Sequence, residues 1–159
     1  MNIIVHCQRL PRKERFMLDT FRIRTRTKEI RRRLTLLDKR FEAIKKEDFL
    51  KDEGLNAEAE RHLQVAIQAC IDIANHIVSS LGLEMPGKNI SDVFYSLAEE
   101  KIIPGAFVKT MVKVTGYRNV LVHEYIEVNR EETYNNFKFH LKDISEYAQY
   151  IEKFLEKRT

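Results

Sequence analysis

The residues best suited to chemistry fall within ten positions, Gly116 to Tyr125, which read Gly-Tyr-Arg-Asn-Val-Leu-Val-His-Glu-Tyr. Arg118 carries a permanent charge on a planar fork that matches phosphate oxygens, and the imidazole of His123 can accept or donate a proton near neutrality. Tyr125 adds a hydroxyl two residues further on. On an uninterrupted helix a five-residue step turns through about 500°, leaving Arg118 and His123 about 140° apart, whereas Arg118 and Tyr125, seven residues apart, nearly coincide. Either the helix frays or bends between Arg118 and His123, or Arg118 reaches round while a second chain closes the site. Asn119, one turn before His123, is placed to orient it. A second polar set, Asp72, Asn75 and His76, interrupts an otherwise apolar stretch. These residues either line a cleft or satisfy one another in a structural hydrogen-bond network. His6, His62 and His140 belong to no such constellation and are expected at the surface.

The elements that must hold these groups are helical throughout. Ile30, Leu34, Leu37, Phe41 and Ile44 step by four and three and predict a first helix running to about Phe49. Ala59, Leu63, Ala66, Cys70, Ile77 and Leu81 mark a long central helix from about Asn56, with Gly82 just past its end. Ser91 is the expected cap of a short helix carrying Phe94 and Leu97, and Pro104 suits the first turn of the helix that leads to Arg118. Asn129 followed by Glu132 resembles a capping box, and the stripe from Tyr134 to Leu155 predicts one last helix. Short connections favour antiparallel neighbours, so the expected fold is all-α, an up-and-down bundle of four to five helices.

Composition narrows the function classes. With 159 residues, 43% hydrophobic, three Pro and five Gly, the chain suits one helical core. Cys7 and Cys70 form no CxxC or Cys/His ligand spacing, so neither a disulfide framework, a zinc site nor any resident cofactor is expected. No apolar run approaches the roughly 20 residues that span a bilayer, and the first ten residues are too weakly apolar for a signal peptide, which predicts a cytoplasmic protein. The net charge of +4 is unevenly spread. Residues 1–33 hold eleven Lys or Arg against three Asp or Glu, a net of +8, so the remainder is slightly acidic. This basic arm suits phosphate backbones in general. It is equally readable as a disordered tail, or as a segment upstream of a true start at Met17.

Arg118, His123 and Tyr125 together make Arg-x4-His-x-Tyr, and with the preceding Gly116 and the Asp-x-x-Asn-His helix of Asp72, Asn75 and His76 they resemble the HepT toxins of the HEPN superfamily. The similarity runs from about residue 28 to 157, which sets a HEPN-like domain over 28–157 and leaves 1–27 as a basic extension without a counterpart. The resemblance implies a metal-independent endoribonuclease toxin that works as a homodimer on RNA. Arg118 and His123 would be its catalytic residues, with Asp72, Asn75 and Asn119 supporting the cleft. It also implies a nucleotidyltransferase antitoxin that uses ATP to adenylylate the motif tyrosine, here Tyr125.

The residues fit that chemistry in part. Attack of a ribose 2′-OH on its own phosphate needs a base, an acid and a cation for the phosphorane charge, and one chain offers a single His in the motif. An isologous two-fold contact would bring a second His123 to the same cleft. Two other readings stay open: a non-catalytic subunit that binds nucleotide or substrate for a nucleotidyltransferase, and a structural nucleic-acid binder that works through residues 1–33.

Overall fold

Asp19 opens the first helix, its carboxylate accepting the Arg22 amide at 2.9 Å. The structure, a computed structural model, describes residues 17–123 and 128–158. Helix α1 spans Thr20–Phe41, and its apolar stripe begins at Ile23, not Ile30. Ile23 and Thr27 are buried with the rest of that stripe. Residues 1–16 lie outside the described residues.

The first helix does not run on to Phe49. It stops at Phe41, and a separate short helix, α2, spans Lys46–Lys51. Eight residues of straight helix would set Phe41 and Phe49 about 12 Å apart along the axis. Both rings instead pack on Phe137, at 4.8 and 5.0 Å, and on each other at 5.8 Å, which requires the chain to turn between them.

Helix α3, Glu53–Leu81, is the axis of the bundle. Asp52 caps it, and Gly82 ends it with φ +61°, while the Leu83 amide reaches back to the Val78 carbonyl at 2.9 Å. Helix α1 lies antiparallel to it: Arg40 meets Glu58, Arg33 donates to His62 Nδ1 at 2.9 Å, Arg26 faces Asp72, and the Asp19 amide donates to His76 Nε2 at 3.1 Å. Buried Asn56 ties α2 to α3, donating to the carbonyls of Phe49 at 2.6 Å and Asp52 at 2.8 Å. Asn56→Ala removes both bonds and is expected to cost about 1–3 kcal/mol in urea denaturation. A loss below about 0.5 kcal/mol would mean that the two carbonyls find other partners.

Helices α4 (Val93–Glu99), α5 (Val108–Val122), α6 (Arg130–Phe139) and α7 (Leu141–Glu156) complete the fold. Ser91 does not cap α4. It sits inside a 3-10 turn, Ile90–Asp92, capped reciprocally by Asn89 and Asp92. Pro104, in extended backbone, precedes a second 3-10 turn that feeds α5. Asn129 caps α6 as expected, accepting the amides of Glu131 and Glu132. The single last helix of the sequence reading is two, divided at His140, whose ψ of 1° takes it out of helical geometry. The break lets α6 place Phe137 against Phe41 while α7 places Tyr147 against Phe94 and donates its hydroxyl to the Cys70 carbonyl at 2.9 Å. The chain is therefore an all-α bundle with seven helices among the described residues, more than the four to five expected, because two long periodic stretches are each interrupted by a turn.

Candidate active site

Tyr117 fixes the end of α5 that carries the motif. Its ring is buried and its hydroxyl lies 2.7 Å from Thr133 Oγ1 on α6. Burial pushes the phenol up to about 12, against the opposing effect of bonds to Thr133 and Asn136. Thr115, also buried, bonds back to the Met111 carbonyl at 2.7 Å. The last turns of α5 are thus held against α6 through Tyr117.

Arg118 follows directly. It is half-buried, and Nη1 donates to Asn119 Oδ1 at 3.4 Å, a long and weak bond. Its Nε is buried and has no hydrogen-bond partner among the described residues, nor does a carboxylate there reach salt-bridge distance. A buried donor left unmade typically costs about 1–3 kcal/mol, more for a charged group. Among the described residues the guanidinium thus keeps a donor unmet at Nε.

His123 is exposed and caps α5 with extended backbone, φ −82° and ψ 99°. The helix ends at Val122, so the 140° separation of a continuous helix does not apply to the His123 side chain. Val122, the last residue of that helix, is 38% exposed. Tyr125 lies outside the described residues.

Within one chain the structure does not bring Asp72 and Asn75 to this end. Asp72 accepts from Gln68 at 2.9 Å and faces Arg26 at 3.8 Å, Asn75 is exposed, and His76 holds the start of α1. Glu60, whose charge acts on Tyr117, is twelve residues before Asp72, about 18 Å along the helix. Glu60 itself is a residue that the sequence reading missed. It is partly buried, and loss of solvent raises its carboxyl above the usual range, tempered by Arg130. Its only signal in the sequence is a charge one turn before Leu63 at the edge of the apolar stripe. Among the described residues no three His, Cys, Asp or Glu side chains cluster as metal ligands, and no helix there is long and apolar enough to cross a membrane.

Comparison with solved structures sets this all-helical bundle among HEPN toxins. The tri-AMPylated Shewanella oneidensis HEPN toxin in complex with MNT antitoxin superposes with a TM-score of 0.75 at 28% identity, over 86% of this chain and 99% of that one. Residues 30–151 match the Ribonuclease HepT-like family, and the chain belongs to it. Among curated relatives, the tRNA nuclease HepT of Aphanizomenon flos-aquae is 33% identical over 135 residues, covering 84% of this chain and 89% of that protein. The mRNA nuclease HepT of Shewanella oneidensis is 33% identical over 103 residues, covering 65% and 77%.

Proposed function

We propose that this chain is the toxin of a toxin–antitoxin pair, a metal-independent endoribonuclease whose Arg118 and His123 act at a cleft shared by two copies. The observation that carries the reading is the buried Nε of Arg118, without a hydrogen-bond partner among the described residues, at the end of the helix that His123 caps. A non-bridging phosphate oxygen is the acceptor that satisfies it and gains most from a fixed guanidinium. The names of the two curated relatives, one a tRNA nuclease and one an mRNA nuclease, support RNA as the substrate class.

In the proposed reaction the 2′-oxygen forms a bond to phosphorus as its proton passes to one imidazole. The bond from phosphorus to the 5′-oxygen breaks, and a second imidazole gives the leaving oxygen its proton. Arg118 stabilises the charge of the phosphorane between them. One His123 per chain means that the second comes from the partner copy. The purified protein is expected to cut RNA in excess EDTA and to leave 2′,3′-cyclic phosphate and 5′-hydroxyl ends. A requirement for divalent metal would overturn this mechanism.

The composite site predicts a two-fold dimer. Sedimentation velocity at micromolar concentration should give twice the 18.9 kDa chain mass, and a cross-link between cysteines placed at Val122 of each copy should form readily. A monomer, or a dimer with the two motifs on outer faces, would count against the shared cleft. The solved neighbour's state, AMPylated and bound to an MNT antitoxin, supports a nucleotidyltransferase as the partner that silences this chain, with Tyr125 as the acceptor.

A further inference from the structure

Beside the motif, α3, α5, α6 and α7 enclose a cavity of about 230 Å³. It is smaller than the roughly 300–1,000 Å³ of pockets that hold drug-sized ligands, and is of a size for a single flat ring system. Leu63, Ile67, Val114 and Ile144 supply its apolar walls. Two aromatic rings, Tyr117 and His140, line it as well, and unstacked bases of single-stranded RNA commonly stack on Tyr and His.

The polar groups around the cavity are of opposite kinds. Asp143 contributes a carboxylate, acceptor only, with one oxygen 3.5 Å from His140 Nδ1 and the other making no hydrogen bond among the described residues. Lys113 contributes an ammonium, donor only, exposed and without an ion pair among the described residues. Guanine is the base that answers both. Its N1–H and exocyclic amine set two donors side by side for a carboxylate, while O6 and N7 are acceptors for a cation. Adenine and cytosine each offer one exocyclic donor, and uracil a single N–H between two acceptors.

The cavity is within one nucleotide's reach of the motif. Arg118 lies one turn beyond Val114 on nearly the same side of α5, and five residues past Lys113, about 7.5 Å along the axis. We infer that this cavity is a guanine pocket, receiving a base flipped out of single-stranded RNA whose phosphate rests on Arg118. The inference rests on the ribonuclease reading for its substrate, though not for the pocket.

The test pairs binding with cleavage on the full-length protein. GMP and AMP are titrated calorimetrically into the wild type, Asp143→Asn and Lys113→Ala. Single-stranded oligouridines carrying one guanosine or one adenosine are then cut and the ends mapped. The wild type should prefer GMP and cut beside guanosine by on the order of tenfold or more, and Asp143→Asn should bring both preferences to within about twofold of unity. Lys113→Ala, at an exposed position, should weaken the preference in the same direction. Equal affinities together with cleavage indifferent to base would overturn the pocket and leave the ribonuclease reading standing. A GMP preference with no cleavage of any RNA would do the reverse. A GMP preference beside indifferent cleavage would assign the pocket to free nucleotide and overturn its role in RNA recognition.

Discussion

His123→Ala and Arg118→Ala should each slow RNA cleavage by on the order of 10² or more while the fold survives. The fold should survive because His123 is exposed at a helix end and Arg118 supplies no ion pair to the core among the described residues. Removing Arg118 even relieves a buried, unmade donor, so its loss should leave thermal stability level or slightly raised while activity collapses. That combination separates a functional arginine from a structural one. In a shared cleft the variants have a further signature. A mixed dimer of one wild-type and one His123→Ala chain keeps a single imidazole, and if both are needed it should be as slow as the dimer that lacks both. Full cleavage by folded His123→Ala protein would move the activity elsewhere, or to a contaminant.

Tyr125→Phe should keep the toxin active and make it immune to its nucleotidyltransferase. Only a hydroxyl is removed, so packing changes little, but the acceptor for AMP is gone. On a continuous helix Tyr125 would align with Arg118, yet α5 ends at Val122, so that alignment no longer carries the case. What remains is sequence distance: two residues separate Tyr125 from His123. A nucleotide joined there would add phosphate charge close in sequence to the guanidinium proposed to bind RNA, competing with RNA for Arg118. The modified wild type should therefore lose RNA affinity as well as turnover. Intact mass after co-expression with the cognate nucleotidyltransferase, read beside RNA cleavage, decides the matter. A Tyr125→Phe protein that still gains AMP and is still silenced would place the acceptor elsewhere, and no mass gain on the wild type would favour neutralisation by binding alone.

The parts of the fold legible in the sequence are those written in local pattern. The three-and-four steps of Leu63 to Ile77, the left-handed Gly82 and the cap at Asn129 each depend on residues within a turn or two. The breaks at Phe41 and His140 were not legible because neither carries Gly or Pro. They arise where distant rings converge, Phe41 and Phe49 on Phe137, so only the folded chain shows them. The candidate site divides in the same way. Arg118 and His123 could be singled out by type and spacing. The unmade bond at Arg118 Nε, the raised carboxyl of Glu60 and the pairing of Asp143 with His140 depend on which helices meet. The surroundings of Asp72 were likewise not legible, because Arg26, which it faces, lies forty-six positions earlier on another helix.

The antiparallel packing of α1 on α3 also turns the molecule into a ruler. The Asp19 amide, bonded to His76, pins the start of α1 and the exposed Arg22 and Arg24 near one end of α3, while Tyr117 and Glu60 hold the motif near the other. Sixteen residues of α3 separate His76 from Glu60, about 24 Å. An RNA strand that touches both ends of a single chain must bridge that span, on the order of seven stacked nucleotides at 3.4 Å each. If RNA is the substrate, the arginines at the start of α1 should add more to the binding of longer strands than to that of a dinucleotide.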